Sequence, residues 1–234
     1  MENTTTTLFA DDACVIVRDK NYETAVAKLQ SVVDKITAWA NKWKIRLNEE
    51  KSIRIDFALR KHGYTPTVMK DKPVPTASSA RYLGLHLDCK LNWHEHVKRK
   101  REFMNLQLRK FQWLIGRHSK VSLANKRLIY KTIFIPTWAY GCEIWGTTRN
   151  SNRLIIKRFQ NKVMRIITGA PWYVTNEELR KDLHLDTVDA IIKTRANNYM
   201  DRLHNHPNSE AIMLLDTLGN TRRLKRQHPV DLIN

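Results

Sequence analysis

Asp11-Asp12, framed by Leu8-Phe9-Ala10 before it and Ala13-Cys14-Val15-Ile16-Val17 after it, leaves the start of this chain few ways to fold. Apolar runs on both sides of a polar pair read as two strands joined by a tight turn. Asp forms strands poorly but suits turns, where its side chain can bond nearby backbone amides. Leu8 and Phe9 therefore enter a β-hairpin, the aspartates sit at its tip, and residues 14–17 lead back as a buried strand. Neighbouring side chains at a tip need not alternate between faces, so at least one carboxylate can project toward a divalent cation. Hard oxygen donors of this kind suit Mg²⁺, which takes one or two carboxylates plus substrate phosphates. A solvated turn without a ligand is the other reading of the same residues.

Residues 21–43 carry Ala25, Leu29, Val32, Ile36, Trp39 and Trp43 at three- and four-residue steps, which predicts an amphipathic helix with Asn21 as N-cap. Residues 45–48 read as a short strand. Residues 52–59 alternate, with Ile53, Ile55, Phe57 and Leu59 on one face and Arg54, Asp56 and Ala58 on the open one. Pro66, Pro73 and Pro75 punctuate a hairpin-like connection around Thr67-Val68-Met69, and residues 81–87 read as a last strand. The expected unit is α+β, a helix packed on an antiparallel sheet.

From Trp93 the pattern turns helical. Val97, Met104, Leu108, Phe111 and Ile115 line one face of a helix ending near Gly116. A helix over 123–134 is stopped by Pro136, and another over 152–167 turns Ile155, Phe159, Val163, Ile166 and Ile167 inward. Thr175 caps a segment opening Asn176-Glu177-Glu178, residues 188–203 form a last helix, and Arg222, Arg223, Lys225 and Arg226 mark a loose basic tail.

The 234 residues carry a formal charge of +18 and are 42% hydrophobic, enough to bury a core. Such an excess attracts polyanions, which makes nucleic acid the default partner, with an anionic membrane surface or a ribosomal-type role competing. Lys98, Arg99, Lys100 and Arg101, with Arg109, Lys110, Arg117 and Lys120, form a basic helical surface that is either a phosphate track or a solvated face. Three widely spaced cysteines, Cys14, Cys89 and Cys142, suit reduced thiols. No signal peptide or membrane span is visible. The expectation is a soluble intracellular protein of cytoplasm or nucleus, not a secreted one. Trp113, Trp138, Trp145 and Trp172 suit core packing better than stacking on bases. His94 and His96 would point roughly 200° apart on a helix, which disfavours a shared metal.

Phe9-Ala10-Asp11-Asp12, then Lys51 in Asn48-Glu49-Glu50-Lys51-Ser52, then Tyr82-Leu83-Gly84 follow the order of the last three palm motifs of a reverse transcriptase. Together with Trp113-Leu114-Ile115-Gly116-Arg117, Trp138-Ala139-Tyr140-Gly141 and Ala170-Pro171-Trp172-Tyr173-Val174, the set resembles the polymerases of jockey-type non-LTR retrotransposons from about residue 8 to 185. The resemblance implies a partial palm over residues 1–90, a helical thumb over 91–175 and a helical extension with a basic tail over 176–234. It further implies that Asp11 is a direct metal ligand with Asp12 beside it, for Mg²⁺ or Mn²⁺. Lys51 would protonate or neutralise the leaving pyrophosphate, unless it is simply a solvent-facing lysine. Tyr82, Leu83 and Gly84 would form the primer grip, unless they are an ordinary buried strand.

The partners implied are an RNA template, a DNA primer and deoxynucleoside triphosphates. A reverse transcriptase takes its first metal-binding Asp from an earlier strand, and only ten residues precede Asp11. Asp56 and Asp34 face solvent in this reading and do not replace it. The chain alone is therefore expected to be inactive in primer extension. A non-catalytic nucleic-acid-binding fragment and a functionless relic are the alternatives.

Overall fold

The computed structural model describes residues 4–58, 63–215 and 229–233. Leu59 and the basic residues between 222 and 226 lie outside them. The chain divides into two compact units, residues 1–80 and 81–234.

In the first unit, β1 (Thr4–Phe9) and β2 (Asp12–Val17) pair antiparallel, with Phe9 opposite Asp12 and Thr4 opposite Val17. The expected hairpin is present, but its return strand is not buried. Ile16 is exposed, and Leu8 and Phe9 are 76% and 63% exposed. The reason is that β1 and β2 form a two-stranded sheet by themselves, so both strands are edges.

Helix α1 (Tyr22–Lys42) begins where expected, the Asn21 carboxamide accepting bonds from the amides of Glu23 and Thr24. Its inward stripe is rotated from the predicted one. Val26, Val33 and Ala40 are buried at seven-residue steps beside Val32, and Trp39 and Trp43 stand in solvent. Neighbours β2 and β3 (Val68–Met69) cover the helix on the valine side, a choice that the apolar spacing alone leaves open.

Residues 45–48 form no strand, and 52–58 form no ladder beyond an isolated parallel bridge between Arg54 and Thr76. The expected alternation is inverted. Arg54 is buried, whereas Ile53 and Phe57 are exposed. The guanidinium is satisfied from every side. It pairs with Asp56 at 2.7 Å and donates to the Thr65 carbonyl, the Thr67 hydroxyl and the Tyr22 hydroxyl. Asp56 is thus half-buried against Arg54, not on an open face. Burial works against the charge of Arg54, but Asp56 and Tyr22 outweigh it and raise its pKa. Strand β3 pairs with β4 (Lys72–Pro73) across Lys70 and Asp71, both at positive φ, giving the hairpin expected there.

The span 81–87, read as one strand, is a hairpin. Strands β5 (Ser79–Tyr82) and β6 (Leu85–Asp88) pair, and Leu83 and Gly84 between them take φ of 45° and 78°. Two consecutive positive φ values are the signature of the I′ turn that matches strand twist.

Helix α2 (His94–Ile115) closes at Gly116 and buries Val97, Met104, Leu108 and Ile115, as its periodicity predicts. It packs on α6 (Asn150–Thr168), which buries Ile156, Phe159, Val163 and Ile167. Between them, α3 (Leu123–Ile129) runs into a π turn at Tyr130–Phe134 and continues as α4 (Ile135–Ala139). Pro136 therefore does not end the helix. In an α-helix its ring would strike the carbonyl four residues back; the wider π turn, with the Ile135 amide reaching Tyr130, makes room. Trp138 and Trp145, the latter in α5 (Cys142–Trp145), pack edge-on at 6.5 Å in a core shared with Tyr130, Phe134 and Phe159. Helix α7 (Asn176–Asp182) opens with a reciprocal capping box between Thr175 and Glu178, and α8 (Val188–His204) follows from Thr187. Within the described residues no helix is long and apolar enough to cross a membrane.

Candidate functional site

The hairpin turn is Ala10-Asp11, so only Asp11 stands at the expected tip; Asp12 opens β2 opposite Phe9. Ala10 takes φ of 52°, a positive value that disfavours any residue with a Cβ. Positive φ at the first central residue alone is the sign pattern of a II′ turn, which normally asks for Gly. The strained turn places Asp11 and Asp12 in solvent. Among the described residues neither carboxylate makes an ion pair or a side-chain hydrogen bond. Two adjacent, uncompensated carboxylates suit a hard cation that completes its shell from phosphates and water. Among the described residues no group of three His, Cys, Asp or Glu side chains comes together, so Asp11 and Asp12 have no third acid beside them.

Lys51 lies in the same unit on a turn held by Asn48, whose carboxamide oxygen accepts from the Lys51 amide at 3.1 Å. Its side chain is exposed. The neighbouring Glu49 is committed to Lys70 and Lys72 at 3.4 and 3.5 Å, so the Lys51 ammonium is not neutralised by it.

Tyr82, Leu83 and Gly84 belong to the second unit, at the β5–β6 turn. All three are half-buried. A residue not singled out from the sequence, Tyr140, locks this turn. Its hydroxyl donates to the Leu83 carbonyl at 2.9 Å, and a Cβ placed on Gly84 would lie 3.0 Å from its ring. The next residue, Gly141 at φ 65°, lets the Leu85 side chain approach to 2.8 Å of where a Cβ would be. The visible signal was the Tyr140-Gly141 pair, an aromatic with a polar tip beside a residue that permits close approach.

Tyr140 also ties the turn to α2, because the Lys100 ammonium sits 5.3 Å over its ring. Consecutive helical residues turn by 100°, so the run from 98 to 101 wraps α2 instead of forming one surface. Lys100 donates to the Thr137 carbonyl at 2.8 Å, and burial lowers its pKa, with Arg81 adding to the shift. Arg101 donates to the Ile155 carbonyl and lies 5.0 Å over Phe159. Lys98, Arg99, Arg109 and Lys110 are exposed, with Arg99 held to Glu95 at 2.7 Å.

His94 and His96 turn to different partners. His94 meets Asn152 at 3.0 Å, and the buried His96 accepts from the His86 amide at 3.2 Å between the rings of Trp93 and Trp145. Burial, helped by Lys100 and His86, lowers the His96 pKa from 6.5 to about 3. Trp138 and Trp145 are core residues as expected, whereas Trp113 and Trp172 are 75% and 88% exposed. Trp113 lies in the last turn of α2, and Trp172 follows Pro171 in the loop after α6.

No protein-family model matches the chain, and no solved structure matches it. Its curated relatives include the probable RNA-directed DNA polymerase from transposon X-element of Drosophila melanogaster. The two are 40% identical over 225 residues, 96% of this chain and 25% of that protein. The RNA-directed DNA polymerase from mobile element jockey of the same organism is 32% identical over 234 residues, 97% of this chain and 26% of the relative. The probable RNA-directed DNA polymerase from transposon BS, also of Drosophila melanogaster, is 33% identical over 221 residues, covering 94% and 24%. The chain spans about a quarter of the length of the curated relatives it matches. Across nearly its whole sequence the chain matches a segment of the jockey-type RNA-directed DNA polymerases of non-LTR mobile elements.

Proposed function

We propose that this chain supplies the catalytic turn of the palm and the gripping helices of the thumb in an RNA-directed DNA polymerase that acts within its parent protein. One observation carries the reading: backbone strain at Ala10 holds two uncompensated carboxylates in solvent at a strand turn. Strain of that kind persists where surrounding structure enforces it, and it clusters at functional sites. Asp11 would hold Mg²⁺, with Asp12 adjacent to tune it; Mn²⁺ suits the same oxygen donors. Bound there, the ion would supply positive charge against the charge developing on a triphosphate.

The remaining roles fall to the chain's own groups. Lys51, exposed and unneutralised, would donate charge or a proton to the departing pyrophosphate. The turn Tyr82-Leu83-Gly84, braced by Tyr140, would position the primer terminus. Lys98, Arg99, Arg109 and Lys110 would follow the phosphates of a template–primer duplex without reading bases. Lys100 and Arg101, spent on backbone carbonyls, would position α2. Two carboxylates do not complete a two-metal site, and among the described residues no third acid stands beside them, so this reading looks to the parent protein for it.

The experiment exchanges this chain for the matching segment of the full-length X-element relative. Extension of a primed RNA template should survive the exchange and disappear with Asp11→Asn, duplex binding being unchanged. An active chimaera indifferent to Asp11→Asn refutes the catalytic role. The charge of +18 favours a second reading, nucleic-acid binding without chemistry. It predicts a chimaera that binds primed template yet extends nothing.

A further inference from the structure

At the carboxyl-terminal ends of α2 and α6 lies a cleft of about 590 Å³, lined by Gln112, Trp113, Arg117, His118, Arg165 and Ala170 among others. Among the described residues no acidic side chain lines it. The cleft is held by specific contacts. Gly169, at φ 67°, lets the Arg117 stem lie across it; a Cβ there would meet Arg117 Cγ and Cδ at 3.2 Å. Arg165 clamps the following loop, donating to the Pro171 carbonyl at 3.0 Å and the Val174 carbonyl at 2.7 Å. That loop presents Trp172 and Tyr173, 88% and 70% exposed, with rings edge-to-face at 6.1 Å.

Three large aromatic side chains therefore stand in water, Trp113 sharing the cleft lining with Arg117 and Arg165, and Trp172 and Tyr173 on the loop that Arg165 pins. Leaving that apolar area exposed marks a binding surface. The chemistry selects the occupant. Aromatic faces take the faces of unpaired bases, and guanidinium and imidazole groups take phosphates. A duplex keeps its bases stacked within and offers nothing to Trp113 or Trp172. The cleft also continues the exposed basic side of α2. Lys98, Arg109 and Trp113 lie within about 60° of one another on the helix, with Glu102 among them.

We propose that the cleft and the 170–174 loop form a stacking site for single-stranded nucleic acid, separate from the turn at Gly84 and from the duplex track. The proposal rests on the reading that this chain binds nucleic acid, and it adds a single-strand subsite. Such a site would hold the template or the displaced strand where it leaves the duplex.

The test uses the purified chain and fluorescence anisotropy with three labelled oligonucleotides of about twelve nucleotides: oligothymidylate, an abasic strand of equal charge, and a blunt duplex. Oligothymidylate should bind roughly tenfold or more tighter than the abasic strand. Trp113→Ala and Trp172→Ala should each erase most of that advantage, and Trp113→Phe should keep it. Duplex affinity and the unfolding midpoint should not change, since both tryptophans are exposed. Arg117→Ala should instead flatten the salt dependence by about one released ion. Equal binding of abasic and base-bearing strands, or indifference to both alanine variants, overturns the site. If duplex binding persists in that case, the broader nucleic-acid reading stands; if all three ligands fail to bind, both readings fall.

Discussion

Gly84→Ala probes the turn that Tyr140 locks, and its cost can be worked from three contributions. Holding φ near 78° with a Cβ costs roughly 1–2 kcal/mol. The new methyl would lie 3.0 Å from the Tyr140 ring, tight enough that the ring must give way. Because that ring is about half exposed, it can swing away. Doing so breaks its bond to the Leu83 carbonyl, worth about 0.5–1.5 kcal/mol, and uncovers Lys100, worth about 0.5–1 kcal/mol. The sum is about 2–4.5 kcal/mol. In a Tyr140→Ala background the clash and both ring interactions are already gone, so only the backbone cost of about 1–2 kcal/mol should remain. Urea unfolding of the four proteins in a double-mutant cycle measures the difference, with hydrogen exchange at Leu85 reporting local opening. The coupling should be about 1–2.5 kcal/mol. Additivity within about 0.5 kcal/mol would refute the argument that Tyr140 braces this turn.

Two further outcomes follow from buried groups. Arg54→Met leaves Asp56 and the Thr65 carbonyl without their cation, and should destabilise the first unit by about 3–5 kcal/mol in denaturant unfolding. Adding Asp56→Leu should recover part of that loss; a single variant costing under about 1 kcal/mol would contradict the buried network. For His96, the folded pKa lies near 3 and the usual value near 6.5, so the unfolded chain binds the extra proton first as pH falls. Stability of the second unit is therefore complete above pH 6.5 and declines toward pH 3. Thermal midpoints at pH 7.5 and 5 should separate, and His96→Leu should narrow the gap; an unchanged gap would point to other titrating groups.

What the amino-acid sequence determines here is local. The hairpin at Asp11-Asp12, the Asn21 cap, the Thr175–Glu178 box and the inward face of α2 ending at Gly116 all depend on residues within a few positions of one another. The ordered set from Phe9 to Val174 is enough to point to the mobile-element polymerases that the chain matches, because it needs no geometry. Tertiary structure decided which surfaces are covered. Period-two alternation at 53–58 separates Ile53 and Phe57 from Arg54 and Asp56, but it does not say which set goes inside. Tyr22, Thr65 and Thr67 supply enough polar partners to take Arg54 in. Likewise, Pro136 continues a helix only because a π turn precedes it, and Tyr140 reaches Leu83 across 57 positions of sequence. Trp138 and Trp113 are the same residue type on helices, yet one is enclosed and the other stands in water. Burial belongs to a pair of surfaces, and the second surface is not written in the neighbourhood of the first.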